Sequence, residues 1–299
     1  ILAQAIFAQA ALALLVFLFV PPAAARMPCG SDELVLAVAF GDLVEVERLV
    51  IGAAVDSTDS RGSTALTEAC RNGHLDIVDC LLTHGAATSI CGKPRGFNDA
   101  KVPLAIAAQY GHVAVMRRLL QGRADVDQLC GKDATPPLSA VFVHGNGQED
   151  ECVAVLLQAG ASLEFAPGLL SKAVTRCTVA TVAALVDAGV SWEAADGLGP
   201  PLLAAINPVI FAWCNVGEVS SRITENALAM ADALLKMGAD PNRKWRGRTI
   251  LSHFKARARE TQCSRSRKPW CGDSRVGVVR VLDLLERAGA RRWRFCFVR

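Results

Sequence analysis

Two cysteines and two histidines that are close in the sequence are the side chains best suited, by type and spacing, to bind a metal. They are Cys70, His74, Cys80 and His84. Cys80 and His84 are four residues apart, and on a helix this spacing places both side chains on one face, where a thiolate and an imidazole could bind one zinc ion. The alternative is that these residues have a purely structural role. The helices and turns that carry them decide between the two interpretations.

Motifs of familiar enzyme classes are absent from the sequence. It contains no GxxxxGK[ST], GxSxG, HExxH or kinase-type motif, and its five histidines are scattered. We therefore predict a protein that is not an enzyme and that has neither catalytic residues nor a cofactor. A thiol of unusually low pKa among the eleven cysteines would be the observation in favour of catalysis.

The composition indicates a folded chain with unevenly distributed charge. The 299 residues are 52% hydrophobic with a mean hydropathy of +0.29, which is enough for a large core. Residues 243–299 contain 17 Lys and Arg against 4 Asp and Glu, a net charge of +13, so residues 1–242 carry −10 of the total of +3. An anionic partner would therefore be sought at the C-terminal region.

The cysteines indicate a reducing environment. There are eleven of them, an odd number, and no two form a CxxC pair. A disulfide framework is therefore not expected, and we predict a cytoplasmic location for the body of the protein.

Residues 1–26 form an apolar leader that allows three interpretations. Residues 1–20 carry no charge, and a helix of that length would span roughly 30 Å, the thickness of the hydrocarbon core of a bilayer. A transmembrane anchor with the body in the cytosol is the first interpretation, supported by Arg26 on its C-terminal side. A signal peptide that ends in the small residues after Pro22 is the second, and a start-site artefact, with translation from Met27, is the third.

A recurring pair of apolar residues divides the rest of the chain into seven units. The pairs are spaced by 32, 38, 37, 29, 49 and 50 residues, which is typical of repeat proteins. They are Leu49-Val50, Leu81-Leu82, Leu119-Leu120, Leu156-Leu157, Leu185-Val186, Leu234-Leu235 and Leu284-Leu285. Most units end in glycine followed by alanine or valine, as at Gly85-Ala86.

The unit TALTEACRNGHLDIVDCLLTHGA, residues 64–86, indicates what each position does. Thr64 is placed to cap a short first helix, which Gly73 ends in a left-handed turn. Residues 77–82 give a second helix an apolar stripe, and Gly85 ends that helix. Two such helices cannot bury an apolar face alone, so neighbouring units must stack and share one core.

This pattern resembles that of the ankyrin repeat family, in which Thr-Pro-Leu-His, two alanines, Gly-His, a Leu-Leu pair and Gly-Ala follow in order. Residues 64–86 match it most fully, residues 102–126 nearly as well, and GADPN at 238–242 has the form of a repeat ending. The resemblance covers residues 31–295. It implies an all-α solenoid of about seven helix-turn-helix repeats with short β-hairpin fingers.

The family pattern also bears on single residues. It explains His74 as part of the Gly-His turn and Cys70 as a small residue of the inner helix, so we predict no metal site. Ala53 and Arg123 stand where the family has glycine, which predicts shifted or strained turns.

The predicted organisation is the leader at residues 1–26, repeats one to six at 31–242, and a basic C-terminal repeat at 243–299. Insertions between the two helices of a unit are predicted near residues 145–150, 207–222 and 260–274. They should project from one edge of the stack, either for binding or as tolerated drift in a loop.

The resemblance implies that a protein partner binds in the concave groove formed by inner helices and fingers. Eight residues are candidate contacts, because the pattern places them at exposed inner-helix positions or finger tips. They are Arg61, Glu68, Arg71, Asn72, Gln109, Tyr110, Lys132 and Asp133. The alternative for each of them is a solvated surface without a partner.

The basic C-terminal region supports a second hypothesis, the binding of nucleic acid or acidic lipid with the repeats as scaffold. Its candidate residues are Arg257, Arg259, Arg265, Arg267, Lys268, Arg291, Arg292 and Arg294. A solvated capping face is the alternative, because terminal repeats require polar outer surfaces. We favour protein binding in the groove over this anion-binding hypothesis.

Overall fold

The computed structural model of the protein describes residues 30–52, 54–93, 100–131, 135–164, 168–192, 198–212, 218–256 and 272–290. Residues 30–31, 210–212, 218–221 and 272–276 are described by their backbone alone. The apolar leader lies outside these ranges, and within them no helix combines the length and apolar character needed to cross a bilayer.

Helices follow one another in pairs along the described ranges. The pairs are α1 (Gly30–Phe40) with α2 (Leu43–Val50), α3 (Ala65–Asn72) with α4 (Leu75–Thr83), α5 (Pro103–Tyr110) with α6 (Val113–Gln121), α7 (Pro137–Ala140) with α8 (Glu149–Gln158), α9 (Leu169–Val174) with α10 (Val179–Asp187), and α11 (Pro201–Ala212) with α12 (Glu218–Lys236). Residues 250–256 are also helical and precede α13 (Gly272–Arg287). These pairs are units 1 to 7.

The units stack so that their helices form two layers. The first helices contact one another in the order α1, α3, α5, α7 and again at α9 and α11, and the second helices in the order α2, α4, α6, α8, α10, α12, α13. Buried apolar side chains of both layers form one core that runs from Leu34 to Ala290. This is the all-α repeat solenoid that the sequence predicts. The first helices are called inner and the second helices outer.

Helix α3 begins and ends as its sequence predicts. Thr64 Oγ1 accepts a hydrogen bond of 3.2 Å from Thr67 N, and Thr67 Oγ1 accepts one of 3.0 Å from Thr64 N, which makes a reciprocal cap. Gly73 ends the helix with a φ of 78°, in the left-handed region that glycine adopts without strain. Arg123, which replaces glycine in unit 3, has a φ of 61°, so this turn is strained as predicted.

The turns between inner and outer helices connect units 1 to 4, through Gly-His in units 2 and 3. Nε2 of His112 in unit 3 lies 3.0 Å from the carbonyl oxygen of Arg71 in unit 2. Gly73 leaves the space for this ring, because a Cβ atom there would lie 2.6 Å from His112 Cε1. Asn146 takes the same place in unit 4 and would overlap a Cβ atom on Gly111. The glycine is therefore required both for its backbone angle and for the side chain of the following unit.

Replacing Gly73 by alanine is expected to lower the free energy of unfolding by about 2–5 kcal/mol, of which about 1–2 kcal/mol is backbone strain and the rest is the clash with His112. The matched control is Gly85→Ala, because Gly85 has a φ of 87° and no neighbouring atom within 4 Å of its Cβ position. In urea unfolding followed by circular dichroism, the control should lose only the backbone contribution. Equal losses in the two variants would contradict the role of the ring.

The paired apolar residues lie on the outer helices, with one member of each pair in the core. In units 2 to 6 the first member is buried, as with Leu119 beside the half-buried Leu120. In units 1 and 7 the second member is buried, namely Val50 and Leu285. The alignment on these pairs is therefore wrong by one residue in the first and last units, because an apolar dipeptide does not show which member faces the core.

Short antiparallel β structure connects successive units. Strands β1 (Lys244–Trp245) and β2 (Arg248–Thr249) form a hairpin between units 6 and 7. Isolated bridges join Thr58 with Thr64 and Gly92 with Lys101. These are the short fingers that the family resemblance implies.

A disulfide joins Cys91 and Cys130, in the fingers that follow units 2 and 3. The two cysteines are 39 residues apart, and they lie against a small apolar cluster of Val102, Ala105 and Ala140. This bridge departs from the expectation, drawn from the odd number of cysteines, that no disulfide framework is present. The stacking explains it, because successive units place their fingers side by side.

One predicted insertion falls within the described ranges, and a second falls within them in part. The first lies at the turn that leads into α8, which begins at Glu149. In the second, residues 207–212 continue α11 and residues 218–222 begin α12, while residues 213–217 lie outside the described ranges. The third, near residues 260–274, lies almost entirely outside the described residues.

Candidate functional site

Four residues occupy equivalent positions in units 2 to 5, counted from the start of each inner helix. They are Asn72, Tyr110, His144 and Arg176, and each is the eighth residue of that count. Asn72 and Tyr110 end α3 and α5, whereas His144 and Arg176 lie four and two residues beyond the ends of α7 and α9. The ring centroids of Tyr110 and His144 are 5.0 Å apart. The guanidinium carbon of Arg71, the neighbour of Asn72, lies 5.8 Å from the Tyr110 ring centroid. The side chains of units 2, 3 and 4 are therefore in contact along the inner layer.

Unit 5 extends this line with two cations. A Cβ atom on Gly145, the residue after His144, would lie 3.0 Å from Nη1 of Arg176. Lys172 lies one helical turn before Arg176 and is half-buried. We call Arg71, Tyr110, His144, Lys172 and Arg176 the inner-helix row.

The Arg71 guanidinium is held by a buried carboxylate. Its Nη1 lies 3.5 Å from Oε1 of Glu68, which is one turn earlier on α3, and donates a hydrogen bond of 3.3 Å to Oδ1 of Asn72. The Glu68 side chain is 0% exposed, whereas that of Arg71 is 29% exposed. The ion pair restrains the guanidinium and leaves part of it accessible to an outside group.

The same arrangement recurs in two further places. Arg176 Nη1 lies 3.9 Å from Glu149 Oε1, and the side chains are 35% and 5% exposed. Arg61 Nε donates a hydrogen bond of 3.2 Å to Asp59 Oδ2, and these side chains are 54% and 2% exposed. Each of these arginines covers a carboxylate that would be costly to leave buried without its cation, so its conformation is restrained.

Two predicted contact residues are buried, and the expectation that they are exposed is wrong. Glu68 is fully buried and Gln109 is 4% exposed. Their inner helices pack against neighbours on both sides and against an outer helix, which covers most of each helix. Gln109 Nε2 lies 2.8 Å from His144 Nε2. Glu68 and Gln109 therefore contact Arg71 and His144, respectively, from the buried side of the row.

The other predicted contact residues are partly accessible or lie outside the described residues. Arg61 is exposed in the finger before α3, and Arg71, Asn72 and Tyr110 are half-buried. Lys132 and Asp133 are outside the described residues, as are all eight basic candidates of the C-terminal region.

Three members of the row, His144, Lys172 and Arg176, are absent from the sequence prediction. The sequence does contain a signal for His144 and Arg176, which is their position counted from the start of the inner helix. Asn72 and Tyr110 have the same position in the two repeats that match the family pattern best.

The described free cysteines do not have the low pKa of a nucleophile. Burial raises the pKa of Cys152 to about 11 and that of Cys177 to about 12, and it also raises the pKa of Cys70 and of Cys80. These thiols are therefore protonated near neutral pH.

The four cysteines and histidines considered as zinc ligands do not converge. Cys80 Sγ lies 3.8 Å from His84 Nδ1, but Cys70 is enclosed in the core. Within the described ranges, no three His, Cys, Asp or Glu side chains are grouped so that they could hold a metal ion.

Comparison with protein families identifies the repeats of the N-terminal units. A family model for ankyrin repeats, which comprises three copies, matches residues 34–130. This range contains nearly all of units 1 to 3 and the finger that follows them.

Two curated relatives are similar to segments of the chain. It is 37% identical over 102 residues to Ankyrin repeat domain-containing protein 63 of Mus musculus, and 40% identical over 77 residues to Ankyrin repeat-containing protein ITN1 of Arabidopsis thaliana. The alignments cover 32% and 26% of this chain but only 25% and 12% of the relatives. The similarity thus concerns a minor part of each relative.

A solved structure has the same architecture over most of the chain. The crystal structure of the human ASB11 ankyrin repeat domain matches with a TM-score of 0.58 and 22% identity, over 85% of this chain and 98% of that chain. At this identity the likeness concerns the fold alone, and it extends the repeat architecture well beyond residue 130.

Proposed function

This chain belongs to the ankyrin repeat family, whose repeats are generic protein–protein interaction modules, and from that premise we propose that it is a non-catalytic protein that binds a protein partner along its concave face. The observation that carries the proposal is the inner-helix row. Its side chains cross four consecutive units and are in contact from Arg71 to His144.

The composition of the row suits a protein interface. Tyrosine and arginine are enriched among the residues that dominate binding energy, because each combines a large contact area with hydrogen-bond donors. Arg71 and Arg176 are already restrained by Glu68 and Glu149, so less side-chain entropy is lost when a partner binds.

Affinity capture from a cell lysate with the full chain tests the proposal. The test variant combines Tyr110→Ala with His144→Ala, and the control combines Arg117→Ala with Gln121→Ala, both exposed on outer helix α6. We expect the test variant to weaken binding of the captured protein by at least about tenfold and the control to retain it. Thermal unfolding of both variants checks that they are folded.

A variant of the basic region distinguishes the anion-binding hypothesis. It carries glutamine at the positions of Arg265, Arg267, Lys268, Arg291, Arg292 and Arg294. We expect it to capture the same protein as the unchanged chain, because the inner-helix row is intact in it. Loss of capture in this variant and in high salt, with full capture by the Tyr110 and His144 variant, would contradict the proposal and favour binding through phosphate contacts.

A further inference from the structure

We propose that the inner-helix row binds an extended acidic peptide segment. The inference rests on the proposed function and adds the chemistry of the partner. It follows from the sign of the exposed charge, the restraint of the arginines, and the length of the row.

The exposed charge on the inner helices of units 2 to 5 and on the residues that connect them to the next turn is entirely positive. Residues 65–72, 103–110, 137–144 and 169–176 contain four formally charged side chains, which are Glu68, Arg71, Lys172 and Arg176. Glu68 is fully buried, so a partner on this surface meets the three cations.

The outer helices of the same units have the opposite balance. Helices α4, α6, α8 and α10 carry six acidic and two basic side chains, and of the acids only Glu149, the partner of Arg176, is buried. One of the two basic residues, Arg118, forms an ion pair with Asp79 of the neighbouring unit. Positive charge is therefore concentrated on the inner layer, and its complement is a negatively charged partner.

The restrained arginines suit the recognition of carboxylates. Arginine carries five N–H donors in a fixed plane and binds a carboxylate through two parallel hydrogen bonds. The contacts of Arg71 with Glu68 and Asn72 involve only its Nη1. Its Nε is buried, so a carboxylate of the partner would approach the terminal Nη atoms, through the exposed part of the side chain.

The middle of the row offers contacts of a different kind. Tyr110 and His144 present two rings, tilted by 49°, between Arg71 on one side and Arg176 on the other. A phenol hydroxyl and an imidazole N–H are further donors for carboxylate or backbone oxygens. Lys93, which is exposed, and Lys101, which is half-buried, add positive charge in the finger that leads into unit 3.

The length of the row indicates how much of a peptide it accommodates. Arg71 on α3 and Arg176, two residues beyond the end of α9, are three repeat units apart. Packed helices are about 8–10 Å apart, which gives roughly 24–30 Å. An extended chain advances about 3.3 Å per residue, so about eight or nine residues span the row.

Fluorescence anisotropy with the full chain and defined probes tests the inference. The main probe is a labelled peptide of about nine residues with glutamate at alternate positions, which places the carboxylates on one side of an extended chain. The comparison probes are the same peptide with glutamine, the same peptide with lysine, and a single-stranded oligonucleotide of nine thymidines.

Two sets of variants with matched charge locate the binding site. The row variant combines Arg71→Gln, Lys172→Gln and Arg176→Gln. The control combines Arg48→Gln, Arg117→Gln and Arg118→Gln, which removes the same charge from outer helices α2 and α6. If loss of the buried ion pairs unfolds the row variant, Lys172→Glu replaces it and Arg117→Glu becomes its control.

We expect the glutamate peptide to bind at least about tenfold more tightly than the glutamine peptide, and the row variant to lose at least about tenfold in affinity. The control variant should stay within about twofold of the unchanged chain, because distant exposed charges are screened. Equal weakening in both variants, or no preference for glutamate over glutamine, would overturn the inference. Tighter binding of the oligonucleotide with the same dependence on the row would also overturn it.

The proposed function and this inference fail separately. If the acidic peptide does not bind while the Tyr110 and His144 variant still loses its captured protein, the concave face is the binding site and the acidic chemistry is wrong. If the captured protein is retained by that variant and by the row variant, the proposed function itself is wrong.

Discussion

Replacing Leu119 by alanine lowers the free energy of unfolding by about 3–5 kcal/mol, whereas replacing Leu120 beside it lowers it by about 1 kcal/mol. Leu119 is fully buried on outer helix α6, in the core shared by neighbouring units, and Leu120 is only half-buried. Loss of the Leu119 side chain removes its transfer free energy and leaves a cavity that the stacked helices fill only in part.

Urea unfolding of the two variants measures this difference. The two leucines are adjacent on one helix and identical in type. The change in helix propensity is therefore the same in both variants and cancels when their free energies of unfolding are compared. A cost for Leu120→Ala equal to or greater than that for Leu119→Ala would contradict the register of unit 3 and, with it, the stacking described here.

Breaking the disulfide between Cys91 and Cys130 has the second large effect. The bridge closes a segment with a sequence separation of 39 residues. In the chain-entropy account, a loop of this length contributes about 4 kcal/mol to the free energy of unfolding by restricting the unfolded chain. We therefore expect a reductant to lower the midpoint of urea unfolding substantially.

A pair of serine variants separates this effect from general sensitivity to reductants. The double variant Cys91→Ser with Cys130→Ser should have the low midpoint without reductant and should not respond to it further. Cys80→Ser is the control, because Cys80 is a half-buried free cysteine, and it should keep the response of the unchanged chain. A reductant response that persists in the double variant would contradict the assignment of the bridge.

Much of the fold is predictable from sequence because local rules and repeat periodicity agree. Thr64 caps α3 and Gly73 ends it as the residue types predict, since both interactions involve neighbouring residues in the chain. The number of units also follows from the recurring apolar pairs. The register in the first and last units does not, because Leu49-Val50 and Leu284-Leu285 have two apolar members and burial alone distinguishes them.

The candidate site is less predictable, since it depends on contacts between units. Glu68 and Gln109 are polar residues on an inner helix, and only the packing of both neighbours shows that they are covered. His144 and Arg176 belong to units that match the family pattern less closely. The sequence pattern alone therefore does not identify them as members of the row. The disulfide is not predictable from the sequence either, because only the stacking of units brings these two distant cysteines together.

The most direct test of the binding surface is site-specific photo-crosslinking. A photoreactive amino acid is placed in the full chain either at position 110, in the inner-helix row, or at position 117, which is exposed on the outer layer. Binding along the concave face predicts a crosslink to the captured partner from position 110 and none from position 117. A crosslink from position 117 alone would contradict it and place the partner on the outer helices.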